Sequence, residues 1–438
     1  MRILFASLML FAGGLHTAAT PASARIPRVQ PATDSVVTIE LLRSVRVRRP
    51  MLGREQRATL YGDTSMTLRA GERLQMLRRG LEGGCVLRVR GRDMSVSSCP
   101  WLPGFRDPQA DVFRVVSTTP VRTVSAANAS AHNASARKAV FILLDGIPAD
   151  VIEQVDTPAL DEIAAAGGYA RAHVGGELGG RTQTPTVSAP GYMSLITGTW
   201  ADKHNVRGNS NQSPNYDYWN LFRIVETADS TRRTAIFSTW LDNRTVLIGE
   251  GRPGAGTFRL DHAVDGFEHD TIAYPHDKAS RYILAIDERV SGEAAKYIAE
   301  RAPDLSWVYL QHTDDAGHAH GDSEAFHAAI RQADQMVGRI WNAVKQRQAL
   351  GEEWMIVVTT DHGRDPRTGK GHGLQSARER TTWIVTNQRA LTPRFATGQS
   401  AIVDIAPSIL QHLRLSPPPA VAKNMEGVSF LRVKNDGP

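Results

Sequence analysis

From Lys138 onward, short apolar runs alternate with amphipathic segments whose hydrophobic positions recur at helical spacing. The runs lack the polar alternation of a half-exposed strand, which indicates strands that are buried on both faces. The predicted strands are Ala139 to Leu144, Thr234 to Thr239, Trp307 to Leu310, Trp354 to Val358 and Thr382 to Val385. The predicted helices are Thr157 to Ala166, Ser291 to Glu300 and Ser323 to Gln346. This order predicts a doubly wound α/β domain with a mostly parallel sheet over residues 138 to 438.

A different pattern covers residues 36 to 116, where apolar residues recur with a period close to two between glycines. It predicts a small β-rich domain over residues 25 to 116, which resembles bacterial SH3-like modules in pattern only. Residues 117 to 137 include a tract rich in alanine, serine and asparagine, a composition typical of a flexible linker. We therefore expect two folded units that are joined by this linker.

The first 24 residues have the pattern of a signal peptide. Arg2 precedes an apolar run from Ile3 to Leu15, and Ala22-Ser23-Ala24 supplies the small residues of a cleavage site. A membrane anchor would need about 20 apolar residues, whereas His16 and Thr17 end this run too early. We expect the mature protein to be exported, either periplasmic or secreted, with no transmembrane segment.

The composition is that of an ordinary globular protein, with 41% hydrophobic and 22% charged residues among 438. The net charge of +6 is uneven, because residues 25 to 137 are rich in arginine. Such a basic face could contact an anionic envelope surface, or it could simply be solvated. No pattern in the chain predicts sequence-specific binding of nucleic acid.

The two cysteines, Cys85 and Cys99, both fall within the predicted β-rich domain. In the oxidising compartment that a signal peptide implies, such a pair favours a disulfide over two free thiols. The bridge would add about 3 kcal/mol to the stability of that domain, mainly by restricting the unfolded chain. We do not expect a thiolate to bind a metal ion.

Carboxylates and imidazoles follow three of the predicted strands. They are Asp145, Asp314, His318, Asp361, His362 and His372. Ligands of an open α/β sheet lie beyond the carboxyl ends of its strands, so these side chains could converge in one crevice. Oxygen and nitrogen donors without thiolate suit a pair of borderline-soft divalent cations, and they predict a two-metal hydrolase. The alternative is that each Asp forms a turn and each His is solvated, but repetition at three strand ends favours the metal site.

A candidate nucleophile lies between the first two strands of this domain. Pro190 suits a first helical turn and Gly198 suits the position after a last one, so a short helix is predicted between them. Ser188 would stand at its positive end, where unpaired amides favour an alkoxide and a phosphate. A serine hydroxyl needs a metal or a base before it attacks. Ser188 could equally cap the helix, and only the predicted metal site favours the nucleophile.

These motifs, in this order, resemble those of the alkaline phosphatase superfamily. The resemblance is strongest to its nucleotide pyrophosphatase/phosphodiesterase branch, and it covers residues 138 to 438. It is carried by Asp145-Gly146, the run Pro185 to Pro190, Thr197-Gly198 with His204 and Gly208-Asn209, Asp314 to His318, Asp361-His362-Gly363, and Gly371-His372-Gly373.

The resemblance implies an enzyme with two zinc ions that hydrolyses phosphoric esters, either phosphodiesters or phosphomonoesters of small or nucleotide-like molecules. One zinc would be held by Asp314, His318 and His372. The other would be held by Asp145, Asp361 and His362, with Ser188 bridging toward it. The implied chemistry is in-line attack by Ser188 on phosphorus and hydrolysis of a phosphoseryl intermediate.

Two departures from the family pattern bear on the substrate. The nucleophile of the phosphodiesterase branch is usually Thr rather than Ser188, and the place expected for a phosphate-binding Asn is Gly191. The candidates to replace that Asn are Asn205, Arg207 and Asn209. Tyr192 stands where the sulfatase signature has Arg, which argues against a sulfatase. A sulfatase, a phosphonate hydrolase, a phosphotransferase and a non-catalytic envelope-binding protein are the remaining alternatives.

Overall fold

The computed structural model describes residues 137–210 and 213–433, together with the backbone of seven strands between residues 35 and 120. The chain divides into two compact units, Met1–Ala127 and Asn128–Pro438. The predicted signal peptide, residues 121–136 of the predicted linker and Cys99 lie outside the described residues, as does the side chain of Cys85. Export, the linker and the disulfide therefore stay predictions.

The first unit contains antiparallel strands. They are β1 (Ser35–Leu41), β2 (Val45–Arg48), β3 (Ser65–Leu68), β4 (Arg73–Arg79), β5 (Cys85–Val89), β6 (Arg92–Val96) and β7 (Phe113–Pro120). Five of them form a sheet in the order β6-β5-β4-β1-β7, while β2 pairs with β3. The pairing agrees with the period-two pattern of the sequence. The last strand continues to Pro120, into the segment predicted as a linker.

The second unit is built on an eight-stranded sheet in the order β11-β10-β12-β8-β13-β14-β9-β15. Its strands are β8 (Arg137–Leu144), β9 (Gly168–His173), β10 (Thr234–Ser238), β11 (His262–Val264), β12 (Leu305–Leu310), β13 (Glu353–Thr359), β14 (Thr381–Thr386) and β15 (Ser400–Ala401). β14 is antiparallel to both of its neighbours, and every other pair in this sheet is parallel. The predicted doubly wound, mostly parallel α/β fold is confirmed.

Helices cover both faces of this sheet. They are α1 (Ala149–Ile152), α2 (Pro158–Ala166), α3 (Ser188–Thr197), α4 (Ala201–His204), α5 (Leu221–Ala228), α6 (Arg281–Arg301), α7 (His312–His320), α8 (Glu324–Ala349), α9 (Ala377–Arg380), α10 (Pro393–Ala396), α11 (Ile405–Leu413) and α12 (Pro419–Ala422). Short π- and 3₁₀-helical turns occupy Asn243–Ile248, Pro253–Ala255, Phe267–His269 and Ile402–Asp404. Among the residues that the structure describes, no helix is long and apolar enough to cross a membrane.

The two faces of β8 pack into separate hydrophobic clusters. Phe141 and Leu143 pack with apolar residues of α3, α5 and α11, whereas Ile142 and Leu144 pack with those of α2, α6 and α8. All four side chains are fully buried, and burial of a side chain of this size contributes about 1.5–3 kcal/mol. This burial on both faces explains the continuous apolar run in the sequence. The carboxyl ends of β8, β12 and β13 lie side by side, because the three strands are parallel neighbours.

Several elements were not predicted from the sequence, and the first part of α6 and strand β9 are two examples. Helix α6 begins at Arg281 rather than near Ser291. Its first part was not predicted because a charged segment around Glu288 interrupts the apolar stripe in the sequence. Strand β9 was not predicted, since it is short and its exposed residues include Arg171. Neither difference changes the edge of the sheet at which the candidate site residues lie.

Candidate active site

The first cluster of candidate ligands, the deep group, consists of Asp145, Asp361 and His362 at the ends of β8 and β13. All three are buried, with at most 1% of their surface exposed. His362 Nε2 lies 3.4 Å from Asp145 Oδ1 and 3.3 Å from Asp361 Oδ2. These three atoms have no hydrogen-bond partner among the described residues. His362 Nδ1 donates to the Gly363 carbonyl at 2.9 Å, so the lone pair of Nε2 faces the two carboxylates.

The second cluster, the shallow group, consists of Asp314, His318 and His372. Asp314 and His318 lie one turn apart on α7, and His372 comes from the loop between β13 and β14. His318 Nε2 lies 3.2 Å from Asp314 Oδ2 and 3.1 Å from His372 Nε2. His372 Nδ1 donates to the Thr186 carbonyl at 3.0 Å, which leaves its Nε2 free to bind a metal. The His318 side chain is 48% exposed, so this group is open to solvent.

Both groups fit a zinc ion. A tetrahedral zinc with bonds of about 2.0–2.1 Å requires its ligand atoms to be about 3.3 Å apart. The separations in the deep group are 3.3 and 3.4 Å, and those from His318 Nε2 to the other two ligand atoms of the shallow group are 3.1 and 3.2 Å. The donors are carboxylate oxygens and imidazole nitrogens, which suit zinc. The structure thus brings the six sequence-predicted residues together as two groups that could each hold one ion.

The carboxylates of the deep group each use one oxygen for the protein. Asp145 Oδ2 accepts hydrogen bonds from the hydroxyls of Tyr192 and Tyr309, the latter at 2.7 Å. Asp361 Oδ1 accepts from the Gly146 amide at 3.1 Å. The other oxygen of each carboxylate points into the group, so the geometry favours one bond from each to a metal. Sequence reasoning did not find Tyr309, because nothing in a buried apolar strand distinguishes a functional tyrosine from a core residue.

Crowding of buried charges shifts the pKa values of this site. Burial and then the nearby Asp314 carboxylate raise the pKa of Asp145 to about 7, and burial raises the pKa of Asp361 well above its usual range. Burial also lowers the pKa of His362 well below its ordinary value. A bound dication would favour the ionised form of both carboxyl groups and the neutral form of the imidazole, because these are the forms that bind metal.

Ser188 is the first residue of α3. The N-cap is Val187, with extended backbone angles of φ −127° and ψ 153°, and no side chain caps the helix. The Ser188 hydroxyl is therefore not engaged as a cap, which removes the structural alternative considered from the sequence. Asn209 Nδ2 lies 3.4 Å from Ser188 Oγ, and Asn209 Oδ1 accepts from the Ala189 amide at 2.9 Å. Asn205 instead donates to the Ser213 carbonyl, so of these two asparagines it is Asn209 that lies beside Ser188.

The residues on either side of Ser188 contact both groups. The Thr186 carbonyl accepts from His372 of the shallow group, and the Tyr192 hydroxyl donates to Asp145 of the deep group. Gly191 packs so tightly on Asp361 that a Cβ there would lie 2.9 Å from the Asp361 Cβ and 3.0 Å from its carbonyl oxygen. An asparagine at position 191 could not fit without displacing a candidate ligand. Ser188 thus lies in a segment fixed against both groups.

A serine at a helix N-terminus, fixed between two groups of carboxylates and imidazoles at the edge of a doubly wound sheet, is an arrangement that could bind metal and hydrolyse a phosphoric ester. Residues 139–408 match the sequence profile described as type I phosphodiesterase/nucleotide pyrophosphatase, and the chain belongs to this family. The family that the motifs predicted is confirmed.

Several curated relatives share this region. Human ectonucleotide pyrophosphatase/phosphodiesterase family member 7 is 26% identical over 277 residues, which cover 58% of this chain and 55% of the relative. A 2,3-bisphosphoglycerate-independent phosphoglycerate mutase of Nitrosococcus oceani is 29% identical over 145 residues, covering 31% of this chain and 25% of the mutase. The chain spans about half the length of the family member 7 proteins that it matches.

Solved structures resemble the second unit at low sequence identity. Murine ectonucleotide pyrophosphatase/phosphodiesterase 5 aligns with a TM-score of 0.43 and 14% identity, covering 64% of this chain and 96% of the other. A 2-O GAG sulfatase aligns with a TM-score of 0.47 and 14% identity, covering 67% of this chain and 73% of the other. At such similarity these neighbours do not distinguish one substrate from another.

Proposed function

We propose that the chain is an exported phosphodiesterase in which Ser188 attacks phosphorus and one zinc ion is held by each group. The observation that carries the proposal is the position of Ser188, in a segment that contacts His372 of the shallow group and Asp361 and Asp145 of the deep group. The Ser188 hydroxyl makes no capping hydrogen bond. Separations of 3.1 to 3.4 Å between ligand atoms within each group suit tetrahedral zinc.

The chemistry follows from the position of the hydroxyl. Zinc in the two groups would supply positive charge that favours the Ser188 alkoxide and stabilises the phosphoryl oxygens. The N-terminus of α3 adds its partial positive charge at the same place. Ser188 Oγ forms a bond to phosphorus as the bond to the leaving alcohol oxygen breaks, which gives a phosphoseryl intermediate. Water then cleaves the bond between phosphorus and Oγ and restores the hydroxyl.

Asn209 supports a preference for phosphodiesters. Its amide lies 3.4 Å from Ser188 Oγ, where it could donate to a non-bridging phosphoryl oxygen. A neutral donor matches the single negative charge of a diester, whereas the dianion of a monoester is better matched by a guanidinium. We therefore propose that Asn209 takes the role that Gly191 leaves open.

Replacement of Ser188 by alanine tests this function. Ser188→Ala should lower the turnover of an aryl phosphodiester by about 10³-fold or more, because no other group supplies the attacking oxygen. Ser194→Ala, in the same helix and also buried, serves as the matched control and should retain turnover. Rates on an aryl phosphodiester, phosphomonoester, phosphonate ester and sulfate, with and without a chelator, identify the preferred ester. Wild-type turnover by Ser188→Ala would remove this serine from the mechanism.

Export and the role of the first unit belong to the same proposal. The proposed signal peptide covers residues 1 to 24, the proposed disulfide joins Cys85 and Cys99, and the arginine-rich unit is proposed to contact an anionic envelope surface. Mass spectrometry of the protein from its host should find a mature chain that begins at Arg25. A chain that retains Met1 would contradict the proposed export.

A further inference from the structure

Arg364 is a fully buried arginine that contacts the segments after all three strands of the site. Its Nε donates to the Gly146 carbonyl at 2.9 Å, after β8, and its Nη1 donates to the Lys370 carbonyl at 3.0 Å, after β13. Its Nη2 donates to both the carbonyl and Oδ1 of Asp314, after β12, the former at 2.8 Å. An arginine is seldom buried without such partners, because the desolvation of its charge is costly.

The surrounding residues leave space for this guanidinium and for little else. A Cβ at Gly317, on α7, would lie 2.2 Å from Arg364 Cζ. The guanidinium also lies over the Phe326 ring, with Cζ 5.5 Å from the ring centroid. Arg364 is therefore built into the site and is not a surface side chain that happens to reach Asp314.

Arg364 forms an ion pair with the carboxylate of the shallow group, whereas no such pair with Asp145 or Asp361 is present among the described residues. Asp314 is the carboxylate of the shallow group, and its Oδ1 is bound by Arg364, which leaves Oδ2 on the side of His318. The formal charges of this carboxylate and of Arg364 cancel. The deep group contains two carboxylates, whose second oxygens are bound only by neutral donors, the hydroxyls of Tyr192 and Tyr309 and the Gly146 amide. With both of its carboxylates ionised, the deep group carries more negative charge than the shallow group and attracts a divalent cation more strongly.

Burial acts in the same direction. Residues of the deep group are at most 1% exposed, so an ion held there leaves only if the site opens. The half-exposed His318 gives an ion in the shallow group a direct path to water. The charge of the two groups and their access to solvent thus both predict that the shallow group holds a cation more weakly than the deep group.

We infer that Arg364 is a positioning residue that weakens the shallow group, so that the ion held by Asp314, His318 and His372 exchanges with solvent while the ion of the deep group is retained. The inference rests on the proposed function, because it takes both groups to hold zinc. Its consequence is that the zinc activity of the surroundings sets the fraction of enzyme that carries both ions.

The affinities of the two ions can be measured on the full-length protein without an activity assay. The zinc-saturated protein is titrated with a chromophoric chelator, and the zinc released is followed by absorbance. We expect one ion per chain to leave at a chelating strength roughly tenfold or more below that needed for the other. His318→Ala should lack the weakly held ion, whereas His362→Ala should lack the tightly held one. Equal affinities, or loss of the weakly held ion in His362→Ala, would overturn the inference.

A matched pair of variants isolates the charge of Arg364. Arg364→Gln and Arg364→Lys both remove the forked hydrogen bonds, but only Arg364→Lys keeps the positive charge. The weakly held ion should bind roughly tenfold more tightly to Arg364→Gln than to Arg364→Lys. Equal affinities in the two variants would overturn the role of the charge, while the wild-type titration tests the inequality of the groups even if neither variant folds. A saturated wild-type protein with fewer than two ions would instead contradict the proposed function.

Discussion

The pKa of the Asp145 carboxyl depends on whether a metal ion is bound beside it. Burial and the Asp314 carboxylate raise its pKa to about 7 in the metal-free protein, although Tyr192 and Tyr309 donate to it. A carboxyl with a raised pKa stabilises the folded state below its unfolded pKa of about 3.9, and that contribution is lost as the pH rises through the folded value. The metal-free site is thus held together partly by a proton.

Asp145→Asn should remove this pH dependence. In the metal-free state, the free energy of unfolding of Asp145→Asn relative to wild type should rise between about pH 4 and pH 7, because the wild-type carboxyl loses its stabilising proton over that range. Buried histidines that titrate in both proteins cancel in the difference. Urea denaturation at several pH values, after removal of metal, measures the effect. A difference that does not change with pH would show that Asp145 titrates normally.

The sequence identified the six candidate ligands because Asp and His that recur at the ends of three buried strands are directly visible in it. Arg364 and Tyr309 were not identified, although both contact these residues. Arg364 meets Asp314 across 50 positions of sequence and Tyr309 meets Asp145 across 164, and residue type alone does not encode such contacts. Long-range partners of a buried charge become visible only when the fold brings them together.

At the scale of elements, the start of α7 decides where the shallow group lies. The carboxylate of Asp287, on α6, accepts from the amides of Gln311 at 3.1 Å and His312 at 2.8 Å, and from the Thr239 hydroxyl. These amides are at the beginning of the helix that carries Asp314 and His318. A helix N-terminus without side-chain acceptors leaves amides unpaired, so Asp287 serves as a cap from another helix.

Asp287→Ala should therefore weaken both the fold and the shallow group. We expect a loss of about 1–3 kcal/mol in the free energy of unfolding, because two amides and a hydroxyl lose their buried acceptor. The zinc affinity of the shallow group should fall as α7 shifts. Glu288→Ala is the matched control, since the neighbouring Glu288 is 46% exposed and pairs with Arg339 at the surface. Wild-type stability in Asp287→Ala would rule out this capping role.

Long and strongly periodic elements were predictable from the sequence, whereas irregular ones were not. Strand β8 was predicted almost in full, since all of its residues from Lys138 to Leu144 are buried and most are apolar. The start of α6 was not, because its exposed face presents a run of charges that hides the stripe formed by Ile283 and Ile286. Only packing against the sheet distinguishes that stripe from a loop.

At the scale of the whole molecule, the chain divides into two units, and the described candidate site residues all lie in the second. The hydrophobic clusters that support the site are also made of residues from this unit. A unit with its own core is expected to fold by itself.

Residues 128 to 438 expressed alone should therefore fold cooperatively and retain phosphodiester hydrolysis within about threefold of the full-length rate, with zinc content unchanged. Circular dichroism during urea denaturation and elemental analysis check the fold and the metal content. Loss of turnover in a folded and zinc-loaded fragment would show that the first unit contributes to the chemistry.

The antiparallel direction of β14 has a consequence for how such an enzyme can diversify. β13 ends and β14 begins at the same edge of the sheet, so the loop that carries His372 leaves and returns on one side of the molecule. Residues can be inserted into such a loop at a small entropic cost and without shifting the register of any strand. Its length could therefore vary, in evolution or in the laboratory, at positions that leave Arg364 and His372 in place, and such a change would reshape the substrates admitted without moving the candidate metal ligands.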